Sequence, residues 1–262
     1  MIIYFLIIFL LILLILLIIF LKLYPNKSYL KYESFNNIKY TAVIIEPRKH
    51  KALKFVLENF AENLSSEWDI IIFHGNKNLE YIFKLIDSSA ILSSNKNRIK
   101  FINLNVDNLT IRNYNDLLVS KDFYDDIPTE VFLIFQTDTI ICKNNKDLIN
   151  KYTKYDYTGA PWKDKVVGNG GLSIRKKSKM LEIIENCKYS NQPEDIYFSK
   201  ACPEIYRNQP SFEDAKEFSV ETVYNDISFG VHKPWRHLKE SNFYKKNDFC
   251  EGLEELRDLN DF

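Results

Sequence analysis

From residue 40 onward the chain alternates short apolar runs with stretches of helical spacing. Residues 41–46 (TAVIIE) form a β-branched run and predict a strand. In 50–64, Leu53, Val56, Leu57 and Phe60 recur at the intervals of one helix face. Residues 68–73 (WDIIIF) predict a second strand, closed by His74-Gly75-Asn76. Helical spacing returns over 79–91 with Ile82, Phe83, Leu85 and Ile86, followed by a third strand at 99–104, a helix at 111–123 and a fourth strand at 130–135. Such alternation predicts an α/β fold, a mostly parallel central sheet with helices on both faces. Right-handed crossovers align the ends of strands 41–46, 68–73 and 131–135 on one edge. Ligands of open α/β sheets bind at that edge. After Asn150 the periodicity weakens.

The amino-terminal pattern is different. Residues 2–21 carry no charge, no Gly and no Pro. As a helix they would span about 30 Å, the thickness of a bilayer's hydrocarbon core. This predicts a transmembrane helix over 1–22, a linker over 23–39, a globular domain over 40–240 and a C-terminal tail over 241–262. No Ala precedes Ala42, so a small-residue cleavage site is lacking and the span is expected to stay as a single-pass anchor. Lys22, Lys27 and Lys31 follow it, which favours a cytoplasmic globular domain. Three glycosylation sequons, at Asn26, Asn63 and Asn108, point to the opposite side, but an Asn-rich chain produces sequons by chance. The side of the membrane stays open. The four cysteines form no CxxC pair; Cys142 lies in an apolar run and reads as a small core residue, and nothing in the spacing requires a disulfide.

Lys plus Arg and Asp plus Glu are both 35, so there is no broad positive field for nucleic acid, and none is expected as a partner. Neither GxGxxG nor GxxxxGK[ST] occurs. A nucleotide would have to be held another way, and a metal ion on its phosphates is the obvious one.

Residues 131–142 (VFLIFQTDTIIC) carry the sharpest candidate. Asp138 ends an apolar run, where an unpaired carboxylate would be costly if it were buried in the sheet. At the sheet edge it is a natural ligand for a hard divalent cation. Asn169, Gly170 and Gly171 belong to a Gly-Asn-Gly-Gly cluster, which fits either a ligand-lining backbone or a hairpin turn. Glu194 and Asp195 follow Pro193 in the first turn of a predicted helix; they fit dipole complementation or a general base. His232 stands in FGVHKPW, ahead of Pro234 and Trp235. Its imidazole suits Mn²⁺. His237 reads as surface. His74 ends a strand on the binding edge and Glu46 and Arg48 end another.

FQTDT, YDYTGAPW, GNGGLSIR, PEDIYFS and FGVHKPW, in that order, resemble an uncharacterised glycosyltransferase-like family, the domain of unknown function 5672. That family is similar to the GT-A glycosyltransferases. The resemblance implies a GT-A-like fold, a nucleotide-sugar donor, a glycan, protein or lipid acceptor, and a divalent metal, Mn²⁺ first and Mg²⁺ second. It places the metal on Asp138 and His232, with Gln136 and Thr137 in the acidic-motif turn and Gln136 where a first acid usually stands. Asp195, with Glu194 close behind, matches the catalytic base of inverting members. Asn169, Gly170, Gly171 and Trp235 match the donor and acceptor pocket, with Glu46, Arg48 and His74 near the nucleotide. The alternative is an inactive GT-A-like protein that binds nucleotide sugars or glycans.

Overall fold

Strands β1 (Tyr40–Ile45), β2 (Trp68–His74), β3 (Ile99–Asn103) and β4 (Val131–Phe135) lie where the apolar runs predict them. This is a computed structural model, and it describes residues 38–261. The predicted membrane span and most of the linker lie outside the described residues. Among the described residues no helix is long and apolar enough to cross a membrane.

β5 (Thr139–Ile141), β6 (Tyr157–Gly159), β7 (Leu172–Lys176), β8 (Ser219–Val220) and β9 (Gly230–His232) complete the strands of the described residues. A six-stranded sheet runs in the order β3-β2-β1-β4-β7-β6. β1 to β4 pair in parallel, but β7 runs antiparallel to both β4 and β6. The mostly parallel sheet expected from the alternation is therefore a mixed one. The cause is that β6 and β7 are joined directly by a loop, without a crossover helix, so they must run in opposite directions.

Side chains alternate between the faces of a strand. Ala42 and Ile44 join one core with Ile70, Ile72, Leu133 and Phe135, while Val43 and Ile45 join the other with Ile71, Phe73, Phe132 and Ile134. Burial on both faces is why these strands read as unbroken apolar runs.

Two predicted helices are split by serine. Helix 79–91 is Leu79–Asp87 followed by Ala90–Ser94, and helix 111–123 is Ile111–Leu118 followed by Lys121–Asp125. The Ser89 and Ser120 hydroxyls accept hydrogen bonds from Leu92 N at 3.1 Å and Phe123 N at 3.4 Å. Serine satisfies the first amides of a new helix better than the middle of an old one.

The residues read as a tail belong to the core. Helices Glu240–Phe249 and Leu253–Asn260 bury Phe243, Leu253 and Leu256 in the cluster that holds Ala42 and Leu133. Cys250 is bonded to Cys142 across 108 residues, and Cys187 to Cys202 across 15. Cys142 is buried as expected, but as half of a disulfide whose partner no local spacing could reveal. Loops of these lengths make such bonds worth about 2–5 kcal/mol each.

Candidate functional site

β4 ends at Phe135, and residues 136–138 turn the chain out of the main sheet. Thr139 holds that turn: its N–H and its hydroxyl both donate to Gln136 O, at 3.2 and 2.7 Å. β5 then enters a second sheet, of order β5-β9-β8, in which Thr139 lies opposite His232. Lys233 N donates to Asp138 O at 2.9 Å, one step beyond that pair. Strand register therefore brings together two residues almost a hundred positions apart. His232 Nε2 and Asp138 Oδ1 are separated by 3.2 Å. Both atoms are buried, and neither has an aligned hydrogen-bond partner among the described residues.

The other ring nitrogen of His232 is fixed. Nδ1 lies 2.9 Å from Asn169 Oδ1, which also accepts Gly171 N–H at 3.1 Å. The Asn169 amide nitrogen donates to Glu221 Oε1 at 2.9 Å, so the amide has one orientation. In the neutral ring Nδ1 then carries the hydrogen and Nε2 turns its lone pair towards Asp138. Burial by itself disfavours the charged ring, but the Asp138 and Glu221 carboxylates outweigh it and push His232 up to about 9. Asp138 moves the other way: burial resists its charge, and His232 and Lys233 bring it below the usual carboxylate range.

Gly171 makes this packing feasible. A Cβ there would lie 2.2–2.7 Å from three atoms of the His232 ring. On the adjoining residue, a Cβ at Gly170 would meet Glu194 Oε1 at 2.2 Å and Asp195 Cβ at 3.0 Å. The Gly170-Gly171 backbone thus lies between His232 and the first turn of helix Glu194–Lys200. The cluster is no tight hairpin turn; it is a close backbone approach.

Glu194 and Asp195 differ sharply. Glu194 is buried and receives Arg175 at 2.6 and 3.0 Å in a two-point pair. Arg175 has no exposure, donates to Ser173 Oγ at 3.0 Å and packs over the Tyr157 and Phe198 rings. Burial alone would lower the Arg175 pKa, but Glu194 outweighs it and holds the guanidinium charged. Asp195 is partly exposed; its Oδ2 is 3.4 Å from Gly170 N and its Oδ1 accepts Ile196 N–H at 2.8 Å. Of the two acids, only Asp195 has a carboxylate that a ligand can reach.

The remaining candidates divide. Gln136 donates to the Tyr114 hydroxyl at 3.0 Å, and Thr137 O accepts from Asn260 at 2.9 Å, so the C-terminal helix braces the Asp138 turn. Buried Glu46 is taken by Arg48, with two side-chain bonds of 2.8 Å, and the Arg48 side chain stays half exposed on the sheet's binding edge. His74 is buried with Nδ1 2.8 Å from Gly75 O, and among the described residues no hydrogen bond or ion pair joins it to the Asp138 cluster. Trp235 packs against the apolar core.

Glu221, Tyr114 and Asn78 carry no sequence signal for this site, and Arg175 stands out in the sequence only as the end of the GNGGLSIR motif, yet all four organise it. Glu221 Oε1 lies near His232, Lys233 and His237, at 3.3, 4.0 and 3.7 Å. His237, read as surface, is thus at the rim of the site. Buried Asn78 ties the loops after β1 and β2, donating to Glu46 O and Arg48 O and accepting from Gly75 N.

The donor set fits a divalent cation. Two adjacent ligands on an octahedral ion with bonds of about 2.0–2.1 Å stand about 3 Å apart. The facing atoms of Asp138 and His232 match that spacing, in an ion pair that lacks aligned hydrogen-bond geometry. Cys187, Cys202 and Glu204 also converge, but both sulfurs there are spent in a disulfide.

The family model described as Protein of unknown function (DUF5672) matches residues 98–232, just over half of the chain. No curated protein sequence matches. The galactosyltransferase LgtC, solved with donor and acceptor sugar analogues, superposes with a TM-score of 0.50 at 11% identity over 84% of this chain and 94% of its own. A structure of an active-site mutant of LgtC gives 0.51 at 10% identity, covering 84% and 95%. The apo glycosyltransferase GlyE of Streptococcus pneumoniae TIGR4 gives 0.50 at 10%, covering 85% of this chain and 62% of GlyE. At these identities the likeness is one of fold, shared with the glycosyltransferases LgtC and GlyE.

Proposed function

The chain belongs to the family of unknown function DUF5672, and we propose that it is a glycosyltransferase that moves a sugar from a nucleotide-sugar donor to an acceptor hydroxyl. The observation that carries this reading is the facing pair Asp138 Oδ1 and His232 Nε2, buried and unsatisfied at the binding edge of the sheet. Bound by these two residues, a divalent cation (Mn²⁺ first, Mg²⁺ second) would supply Lewis-acid neutralisation of the departing nucleoside diphosphate. Asn169 holds the His232 tautomer that can ligate, and Glu221 holds Asn169. Lys233 at the rim offers positive charge towards phosphate oxygens, while burial lowers the His237 pKa and leaves its ring as a neutral hydrogen-bonding group. Gly170 and Gly171 let His232 and the first turn of helix Glu194–Lys200 pack close on either side of one backbone segment, which holds the ligating ring near Asp195. Asp195 takes the proton of the acceptor hydroxyl as it attacks the anomeric carbon. Glu194 is assigned to positioning, because Arg175 occupies both of its oxygens. The apolar stretch 2–21 anchors the enzyme in a membrane by a single pass.

Calorimetric titration with a panel of nucleotide sugars, with and without Mn²⁺, tests the reading. At least one donor is expected to bind in a Mn²⁺-dependent way and to release its nucleoside diphosphate slowly. Absence of binding by every donor would sink it. A second reading, an inactive protein that binds nucleotide sugars or glycans, is favoured by one observation. Gln136 stands where the GT-A motif has its first acid, and its amide is turned to Tyr114. Mn²⁺-dependent binding with no nucleotide release, across acceptors, would select that reading.

A further inference from the structure

We propose that the globular domain faces an oxidising compartment in which proteins are N-glycosylated, and that Asn108 is the glycan acceptor among the described residues. The inference is independent of the reaction proposed above.

The first observation is covalent. All four cysteines are paired, as Cys142–Cys250 and Cys187–Cys202. Cys142 and Cys250 have no exposure, so their bond lies inside the core. Two structural disulfides of this kind belong to secreted and luminal proteins, because cytosolic thiol pools keep such pairs reduced. Each bond forms as two thiols lose two electrons and two protons to a disulfide carrier protein of that compartment.

The second observation separates the sequons. Asn63 cannot carry a glycan in this fold. It is 7% exposed, its Nδ2 donates to Asn59 O at 2.8 Å, and its Oδ1 is enclosed. Asn108 is exposed, in the loop between β3 and helix Ile111–Leu118. Its Oδ1 accepts Leu109 N–H at 2.8 Å, and its Nδ2 has no partner among the described residues. The sequon hydroxyl, on Thr110, is exposed and caps the helix by accepting Asn113 N–H at 3.1 Å. An Asn-x-Ser/Thr acceptor is a surface-loop feature, and this one meets that condition. In the transfer, Asn108 Nδ2 bonds to C1 of a lipid-diphosphate-linked oligosaccharide. The bond from C1 to the diphosphate oxygen breaks, the lipid diphosphate leaves, and the amide proton passes to a base of the oligosaccharide-transferring enzyme.

Lys22, Lys27 and Lys31 bias the chain the other way. Flanking charge is a bias on insertion, whereas two disulfides in the folded domain require an oxidising compartment to close.

The test is expression of the full chain in secretory eukaryotic cells. The unreduced protein is alkylated and its peptides are mapped by mass spectrometry after peptide-N-glycosidase treatment. The expected result is glycan on Asn108, none on Asn63, and no thiol labelled before reduction. N108Q and T110A remove the Asn108 glycan, and T110S keeps it. An unmodified Asn108, or cysteines that label without reduction, overturns the proposal. So does a glycan found only at Asn26 or Asn63.

Discussion

Two buried ion pairs flank the Gly170-Gly171 backbone, and they are built on opposite plans. Arg175 and Glu194 are closed: both carboxylate oxygens are used, the guanidinium also bonds Ser173, and two aromatic rings cover it. Asp138 and His232 are open: the two atoms that face each other have no aligned partner, and the Asp138 side chain keeps 24% exposure. A closed pair has nothing to offer a ligand and holds local structure in place. An open pair carries a desolvation cost within the fold that a ligand can relieve. The contrast separates a pair whose polar atoms are all used from one with atoms left to offer, without reference to any relative.

Breaking each pair should therefore damage different properties. The largest expected effect is on stability, at the closed pair. E194A leaves the Arg175 charge buried and unpaired, and should lower unfolding free energy by about 3–5 kcal/mol in urea titration. A loss below about 1 kcal/mol would mean that Arg175 finds water or another acceptor. D138N comes next, with the opposite signature. Its stability loss should be smaller than that of E194A, because one charged pair is lost at a partly exposed carboxylate, while Mn²⁺-dependent donor binding falls by more than the roughly 10–100-fold expected of an outer partner. Equal stability losses in D138N and E194A would erase the comparison.

N169A sharpens it from the side. The ring of His232 stays, but the partner that fixes its tautomer goes, and metal affinity should fall about 10–100-fold in calorimetry. Unchanged affinity would show that the strand register alone orients the ring. The smallest effect is expected from N260A, which removes one hydrogen bond to Thr137 O and should cost about 1 kcal/mol of stability. A larger drop in donor binding than in stability would show that the C-terminal helix sets the Asp138 turn.

Much of the fold was legible because burial on both faces writes itself into a strand as an unbroken apolar run. The four strands β1 to β4 and the helices between them follow from that and from helical spacing. The sequence reading stopped where neighbours in space are distant in the chain. Antiparallel β7, the two disulfides and the packing of helices Glu240–Phe249 and Leu253–Asn260 all arise from contacts across long separations. Serine caps inside two predicted helices were readable in principle, since Ser89 and Ser120 are ordinary cap residues.

The site divides along the same line. By itself the sequence determined which chemistry was on offer: a carboxylate at the end of a buried strand, a glycine pair, an acidic first turn and a histidine after a short apolar run. These are local facts, set by residue type and spacing. Only the tertiary structure decided which of them face one another. The β5–β9 register set Asp138 beside His232, and Gly171 left room for the ring. Arg175 closed Glu194 and left Asp195 open. Glu221, with no motif around it, became the anchor of Asn169 and His232. The physical reason is common to all of these. A side chain's role depends on its burial and on which partners satisfy it, and those are properties of packing rather than of sequence order.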